Sequence, residues 1–122
     1  MQKHKGPYSL FYQILGFYPN NINLYEQAFV HRSSDIRTQE GQRINNERLE
    51  FLGDAILDAV VSDILFNKFP NKKEGFLSNT RSKIVKRDTL NEIAIKMGFD
   101  KLVQNSIRTN THNNYIYGNA FE

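Results

Sequence analysis

The sequence predicts an all-α domain. Apolar residues recur at steps of three and four along most of the chain, strand-like alternation is scarce, and proline and glycine fall where helices would begin or stop. At 122 residues the chain is long enough for one real core and too short to expect two. A hydrophobic fraction of 39% and a charged fraction of 24% fit a soluble globular protein. The absence of cysteine excludes disulfides, thiolate zinc sites and thiol nucleophiles. No run approaches the roughly eighteen apolar residues of a membrane span, and the basic stretch Met1 to Gly6 precedes no long apolar segment. A membrane partner is therefore not expected, and the cytoplasm is the expected compartment. The net charge of +3 is mild, although a symmetric dimer would double it and could gather basic stretches onto one surface. No internal repeat, low-complexity tract or interdomain linker interrupts the chain.

Tyr8, Leu10, Phe11, Ile14 and Leu15 mark a first helix, with Pro7 suited to its first turn and Gly16 to its stop. Pro19 and the asparagines beside it make a connection. Ile22, Leu24, Tyr25, Ala28 and Phe29 then predict a second helix to about Arg32. His31, a lone histidine at a helix end, reads as a cap or packing residue. Ser33 to Ile44 is polar and aperiodic, mostly loop with short turns. Asn45 or Asn46 caps a long helix that runs to about Lys68 and is closed by Phe69-Pro70. Leu77, Ile84 and Val85 mark a fourth helix. A fifth carries Leu90, Ile93, Ala94 and Met97, with Asp88 as its N-cap and Gly98 as its stop. Ser106 to Asn114 reads as loop or frayed turn, and Tyr115 to Glu122 as the beginning of a last helix.

The long helix is where the chemistry gathers. Glu47, Glu50, Asp54 and Asp58 fall at steps of three and four, so an ideal helix holds all four within roughly 80° of arc. Leu49, Leu52, Ile56 and Val60 form an apolar stripe opposite, but Leu57, Val61, Ile64 and Leu65 fall beside or within the acidic arc, and Phe51 flanks its other edge. A helix apolar nearly all round is expected to be buried. Like charges at i,i+4 repel, and more strongly as water is withdrawn. Something positive should therefore sit against Glu50 and Asp54: either an Arg or Lys from a neighbouring helix, or a divalent cation, for which carboxylates one turn apart are hard oxygen ligands. Glycine inside a helix costs about 1 kcal/mol relative to alanine, so Gly53 calls for close approach by a backbone, a side chain or a ligand, or for tight helix packing. Glu47, in the first turn, is explained by the helix dipole or by pairing with an arginine and reads as structural.

The run Asn46-Glu47-Arg48-Leu49-Glu50-Phe51-Leu52-Gly53-Asp54-Ala55-Ile56-Leu57 resembles the signature of the ribonuclease III family, Mg2+-dependent endoribonucleases specific for double strands. Further segments resemble the family on either side. They are Ile14-Leu15-Gly16-Phe17, Gln27-Ala28-Phe29-Val30-His31-Arg32-Ser33, Glu74-Gly75-Phe76-Leu77-Ser78, Arg81-Ser82-Lys83-Ile84-Val85 and Gly118-Asn119-Ala120-Phe121-Glu122, so the resemblance covers about Leu10 to Glu122. It implies a helical endonuclease domain that cuts double-stranded RNA, ribosomal RNA included, with Mg2+, for which Mn2+ can substitute. It also implies a homodimer. Glu50, Asp54, Asn119 and Glu122 match the positions of the family's catalytic metal site, and Phe51 matches a position that packs across the dimer interface, although the sequence alone slightly favours ordinary core packing for that phenylalanine. Lys72, Lys73, Arg81, Lys83, Lys86 and Arg87 are the phosphate-facing candidates, with a solvated helix surface as the plainer explanation.

Two departures from the family pattern bear on function. Asn119 stands where most members have Asp; an amide oxygen still ligates a cation but lowers the site's negative charge by one, so weaker Mg2+ affinity is expected. In the family the helix opened by Gly118 to Glu122 continues through an apolar segment, and a double-stranded-RNA-binding domain commonly follows. Residues 1–122 are thus expected to be an endonuclease domain lacking its last core helix and that second domain. A catalytically silent module that binds RNA or dimerises is the rival to the nuclease. A plain helical interaction domain, its acids paired with arginines, is the third possibility.

Overall fold

The computed structural model describes residues 6–103 and 115–122. Six helices lie within them: α1 (Pro7–Leu15), α2 (Ile22–Ala28), α3 (Glu47–Lys68), α4 (Glu74–Ile84), α5 (Arg87–Lys96) and α6 (Ile116–Phe121), with short 3-10 turns at Arg32–Ser34 and Phe99–Lys101. Among the described residues the only β-type pairing outside them is an isolated bridge between Arg37 and Arg43. The all-α expectation holds. The loop expected over Ser106 to Asn114 lies outside the described residues.

Most helix ends fall where residue chemistry places them. Gly16 takes a left-handed conformation (φ 81°) and its N–H donates to the Tyr12 carbonyl at 2.8 Å, closing α1. Gly98 does the same service after α5 (φ 90°). Phe69 and Pro70 end α3.

Three expectations need correction. First, α2 stops at Ala28 rather than near Arg32. The reason is Asn46: its backbone N–H donates to the Val30 carbonyl and its Nδ2 to the Ala28 carbonyl, both at 2.9 Å. Carbonyls orphaned at the end of α2 thereby find donors without further helix. Asn46, 3% exposed, thus serves α2, and it is the Asn45 side chain that caps α3 by accepting from the Glu47 N–H at 3.0 Å.

Second, the cap position of α5 is Lys86; Asp88 lies inside the first turn, where its carboxylate accepts a hydrogen bond from the Tyr115 hydroxyl.

Third, α3 is not buried on nearly every side. Only Val61 and Leu65 are buried along it, while Phe51 is 82% exposed and Leu52, Ile56, Val60, Ile64 and Phe66 also face outward. Its principal helical neighbour among the described residues is α4. A surplus of apolar residues says how much of a helix seeks cover, not that the same chain provides it.

The core lies away from α3's outer face. Phe11, Phe29, Ala94, Phe99 and Ala120 form its centre, with Tyr25, Met97 and Phe121 packed around them. Phe29 meets Phe99 edge-on at 4.8 Å between ring centroids. α5 and α6 make the closest helix pair, because Gly118 lacks the Cβ that would otherwise sit 2.9 Å from the Asn91 backbone nitrogen.

Asn46→Ala is expected to lower stability by about 1–3 kcal/mol in urea unfolding, since it leaves the Ala28 carbonyl without its donor in a buried place. Asn45→Ala, which removes only a cap, should cost about 1 kcal/mol. A loss below about 0.5 kcal/mol for Asn46→Ala would show that this bond does not fasten α3 to α2.

Candidate active site

Glu50 and Asp54 stand one turn apart on α3, with Gly53 between them. A Cβ on Gly53 would fall inside the van der Waals envelope of the main-chain oxygen and carbon of Glu122. This is the close approach that a glycine in mid-helix called for, and the approaching group is a backbone. Gly118 gives α6 the same freedom on its other side, where its N–H also donates to Asn91 Oδ1 at 3.1 Å. Two glycines therefore seat α6 between α5 and α3. The hydrogen bond from the Glu122 N–H to the Gly118 carbonyl, 3.0 Å, extends the helical course to Glu122.

The electrostatics follow from that seating. The Glu122 carboxyl is pushed up to about 7, first by burial and then by repulsion from Asp54 and Glu50, with the Arg87 guanidinium opposing and Asp58 adding a little. Burial likewise raises Glu50, against the pull of Arg87 and Arg32. Among the described residues the ion pairs are Arg32–Glu47, Arg37–Asp35, Arg43–Asp35 and Lys96–Glu92; none reaches Glu50, Asp54 or Glu122. Among the described residues, then, these acids lack the direct arginine pairing that a plain helical domain would give them.

Two cavities of about 340 Å³ each meet at the acids. One is largely apolar, lined by Leu49, Leu52, Ile56 and Phe121, with Glu50, Asn119 and Glu122 at its polar edge. The other is polar and is lined by His31, Arg32, Asn46, Arg87 and Tyr115 together with Glu50 and Asn119. Asp54 is exposed beside them. Among the described residues no three His, Asp or Glu side chains close on a single point as they stand. The acids border the cavities and do not form a finished cage.

The remaining candidates separate. Glu47 pairs with Arg32 at 3.7 Å on the surface, as its structural reading requires. His31 accepts the Ser33 N–H at Nδ1 (3.2 Å) and so caps the 3-10 turn; burial, then Arg32, holds its imidazole below the ordinary value. Phe51 does not pack in the core.

The six basic candidates are spread from the turn before α4 to the first residue of α5. Lys72 and Lys73 precede α4, the former 5.1 Å from the Phe76 ring centroid, while Lys83 and Lys86 lie about 15 Å further along and are exposed. Arg81 donates to Ser62 Oγ at 2.8 Å, tying α4 to α3. Arg87 sits over Tyr115, 5.9 Å from the ring centroid, facing the acids. Sequence reasoning missed Arg32 and Tyr115 as neighbours of the site, because nothing in their local pattern says that they meet.

Because the Glu122 carboxyl is raised in the fold, its ionisation works against folding. Its cost is absent below about 4.5, grows as pH rises and is complete above about 7. The melting temperature of the metal-free protein is therefore expected to carry a falling component over that window that Glu122→Gln lacks, and Mg2+ should restore most stability above it. Parallel melting curves for the two proteins from pH 4.5 to 8 would refute this.

Residues 21–122 match the family model described as Ribonuclease-III-like. The chain is 60% identical over 121 residues to the protein named Ribonuclease 3 of Bacteroides fragilis, covering 99% of this chain and 42% of that protein. To Ribonuclease 3 of Bacteroides thetaiotaomicron it is also 60% identical, across 39% of that protein. The chain thus spans about two fifths of the length of these relatives. Its fold is similar to the solved nuclease domain of Ribonuclease III from Campylobacter jejuni, whose description mentions a flexible region involved in dimer formation. That similarity has a TM-score of 0.76 and 33% identity, covering 91% of this chain and 76% of that one. A solved Dicer from Pichia stipitis aligns with a TM-score of 0.63 and 34% identity over 84% of this chain and 42% of that one.

Proposed function

The chain belongs to the ribonuclease-III-like family, and from that membership we propose that it is an endonuclease domain hydrolysing phosphodiester bonds of double-stranded RNA, ribosomal RNA among its substrates. The observation that carries this reading is the backbone contact of Glu122 on Gly53, which brings the Glu122 carboxyl near enough to Asp54 and Glu50 for their charges to repel it, with no ion-paired guanidinium on any of the three among the described residues.

These residues fit a divalent cation in kind: three carboxylates and the Asn119 amide are hard oxygen donors, and among the described residues no ion pair neutralises them. An open arrangement suits Mg2+, which keeps several waters rather than demanding a protein cage, and Mn2+ accepts similar oxygen ligands. When bound, such an ion supplies charge neutralisation at the phosphate and an activated water. Glu50, Asp54 and Glu122 would hold it, and Asn119 would add a neutral ligand. The protein's own part is to keep those oxygens crowded beside a cavity wall and to present the phosphate to them.

The reading is tested by incubating the chain with a long RNA duplex, with and without Mg2+. Metal-dependent double-strand cuts are expected. Binding without cutting would favour the silent module, and neither would return the chain to a plain helical domain.

A homodimer through the outer face of α3 belongs to the same reading. Phe51, Leu52, Ile56 and Phe66 are exposed there, more apolar surface than a monomer ordinarily leaves in water. Phe51→Glu should halve the particle mass seen in sedimentation and weaken cleavage with it, whereas the melting temperature of the dilute monomer should change little. A parent chain that sediments as a monomer at micromolar concentration would remove the dimer from the proposal.

A further inference from the structure

The acids account for Glu50 and Asn119 but not for the polar cavity on their far side. Apart from Ile116, every side chain lining it is polar or aromatic with a polar tip. Two of its polar atoms, an acceptor and a donor, are already engaged. His31 Nδ1 takes the Ser33 N–H, and Asn46 Nδ2 serves the Ala28 carbonyl, so both act as frame. The two guanidiniums are not committed in this way. Arg32 has only a long, exposed ion pair to Glu47 at 3.7 Å, a kind of contact that contributes little and exchanges readily. Arg87 makes no ion pair among the described residues and rests over the Tyr115 ring, which Asp88 holds through the phenolic hydroxyl.

Resting on the nuclease reading above, we propose that the cavity between Arg32 and Arg87 seats an RNA backbone phosphate next to the one being cut. Guanidinium forks match phosphate oxygens in pairs, and two of them here approach one space from different elements: Arg32 from the turn after α2, Arg87 from the first residue of α5. Glu50 and Asn119 line both this cavity and the apolar one that Glu122 borders. A phosphate lodged here therefore sits beside the one offered to the acids. Glu47 and Glu50 oppose an anion while they are uncompensated. A cation held at Glu50 turns that wall neutral, so the cation is expected to bind first and the phosphate second.

The experiment uses the full chain carrying Glu50→Gln, which removes the repelling charge and prevents turnover. Binding of a short blunt RNA duplex is followed by fluorescence anisotropy between about 50 and 200 mM salt. Arg32→Gln and Arg87→Gln should each weaken binding about tenfold. Each should also make the slope of log K against log salt shallower by about 0.9, because one phosphate contact is lost. Arg87→Lys, which keeps the charge, should recover the slope but not all the affinity. Lys96→Gln, on the exposed face of α5, should change neither. If the parent chain cuts duplex RNA while Arg32→Gln and Arg87→Gln leave slope and affinity untouched, the phosphate seat is wrong and the nuclease reading stands. If the parent neither binds nor cuts, both fall.

Discussion

Glu50→Gln and Glu122→Gln are each expected to reduce cleavage of duplex RNA by at least about a hundredfold at saturating Mg2+, while neither unfolds earlier than the parent. The two halves of that expectation come from one cause. Glutamine keeps the volume and one oxygen of glutamate and loses only the charge. In a fold that raises both carboxyls, the charge is a burden on stability, so its loss relieves the native state. A residue kept ionised against the preference of its surroundings is retained for something other than folding. A variant that melts higher and cuts far less would show that directly. One that cuts at the parent rate would remove its residue from the site. Asn119→Asp should move the other way: a fourth negative charge tightens Mg2+ binding and lowers the melting temperature of the metal-free protein. Titrating cleavage with Mg2+ in both forms measures the first effect. A metal requirement that is unchanged or greater in the aspartate form would count against Asn119 as a ligand.

How much of this could be read from residues alone follows from the range of the interactions. The bounds of α3 were legible because Asn45, Glu47 and Pro70 act within a few residues of the ends they define. Gly53 announced that something must come close, since the cost of glycine in mid-helix is local, but what came close was Glu122, 69 positions away, and no periodicity points to it. Asn46 was legible as one of two possible caps. Its actual duty at Ala28 and Val30 depends on where α2 ends, which local propensity misplaced by about a turn. Arg87 was legible only as one of a run of cations, and Arg32 not at all; their convergence on a single cavity is a product of how α5 and the turn after α2 pack. The exposed face of α3 shows the same limit from the other side. An apolar pattern measures appetite for burial, and only packing says whether the described chain satisfies it.

The most informative substitution adds a single methyl group. Gly53→Ala should gain about 1 kcal/mol from helix propensity if nothing else touched the site. Against that stands a main-chain oxygen of Glu122, which occupies the space the methyl needs, and the obstacle is main chain rather than the far end of a flexible side chain. Overpacking of this kind costs about 1–3 kcal/mol, so the two effects nearly cancel or leave a modest loss, and stability alone says little. Position decides the outcome. To make room, the end of α6 must draw back from α3, carrying Glu122 away from Glu50 and Asp54, and a displacement near 1 Å is enough to cost about a hundredfold in rate. Cleavage should therefore collapse in a protein that still folds, and the stabilisation conferred by Mg2+ in thermal melting should shrink with it. Gly75→Ala is the matched control: it lies in the first turn of α4 with nothing within 4 Å of the added carbon, so it should raise the melting temperature slightly and leave cleavage alone. Parent-like cleavage and Mg2+ response in Gly53→Ala would mean that the seat of α6 on α3 does not place Glu122, and the three carboxylates would lose their claim to act together.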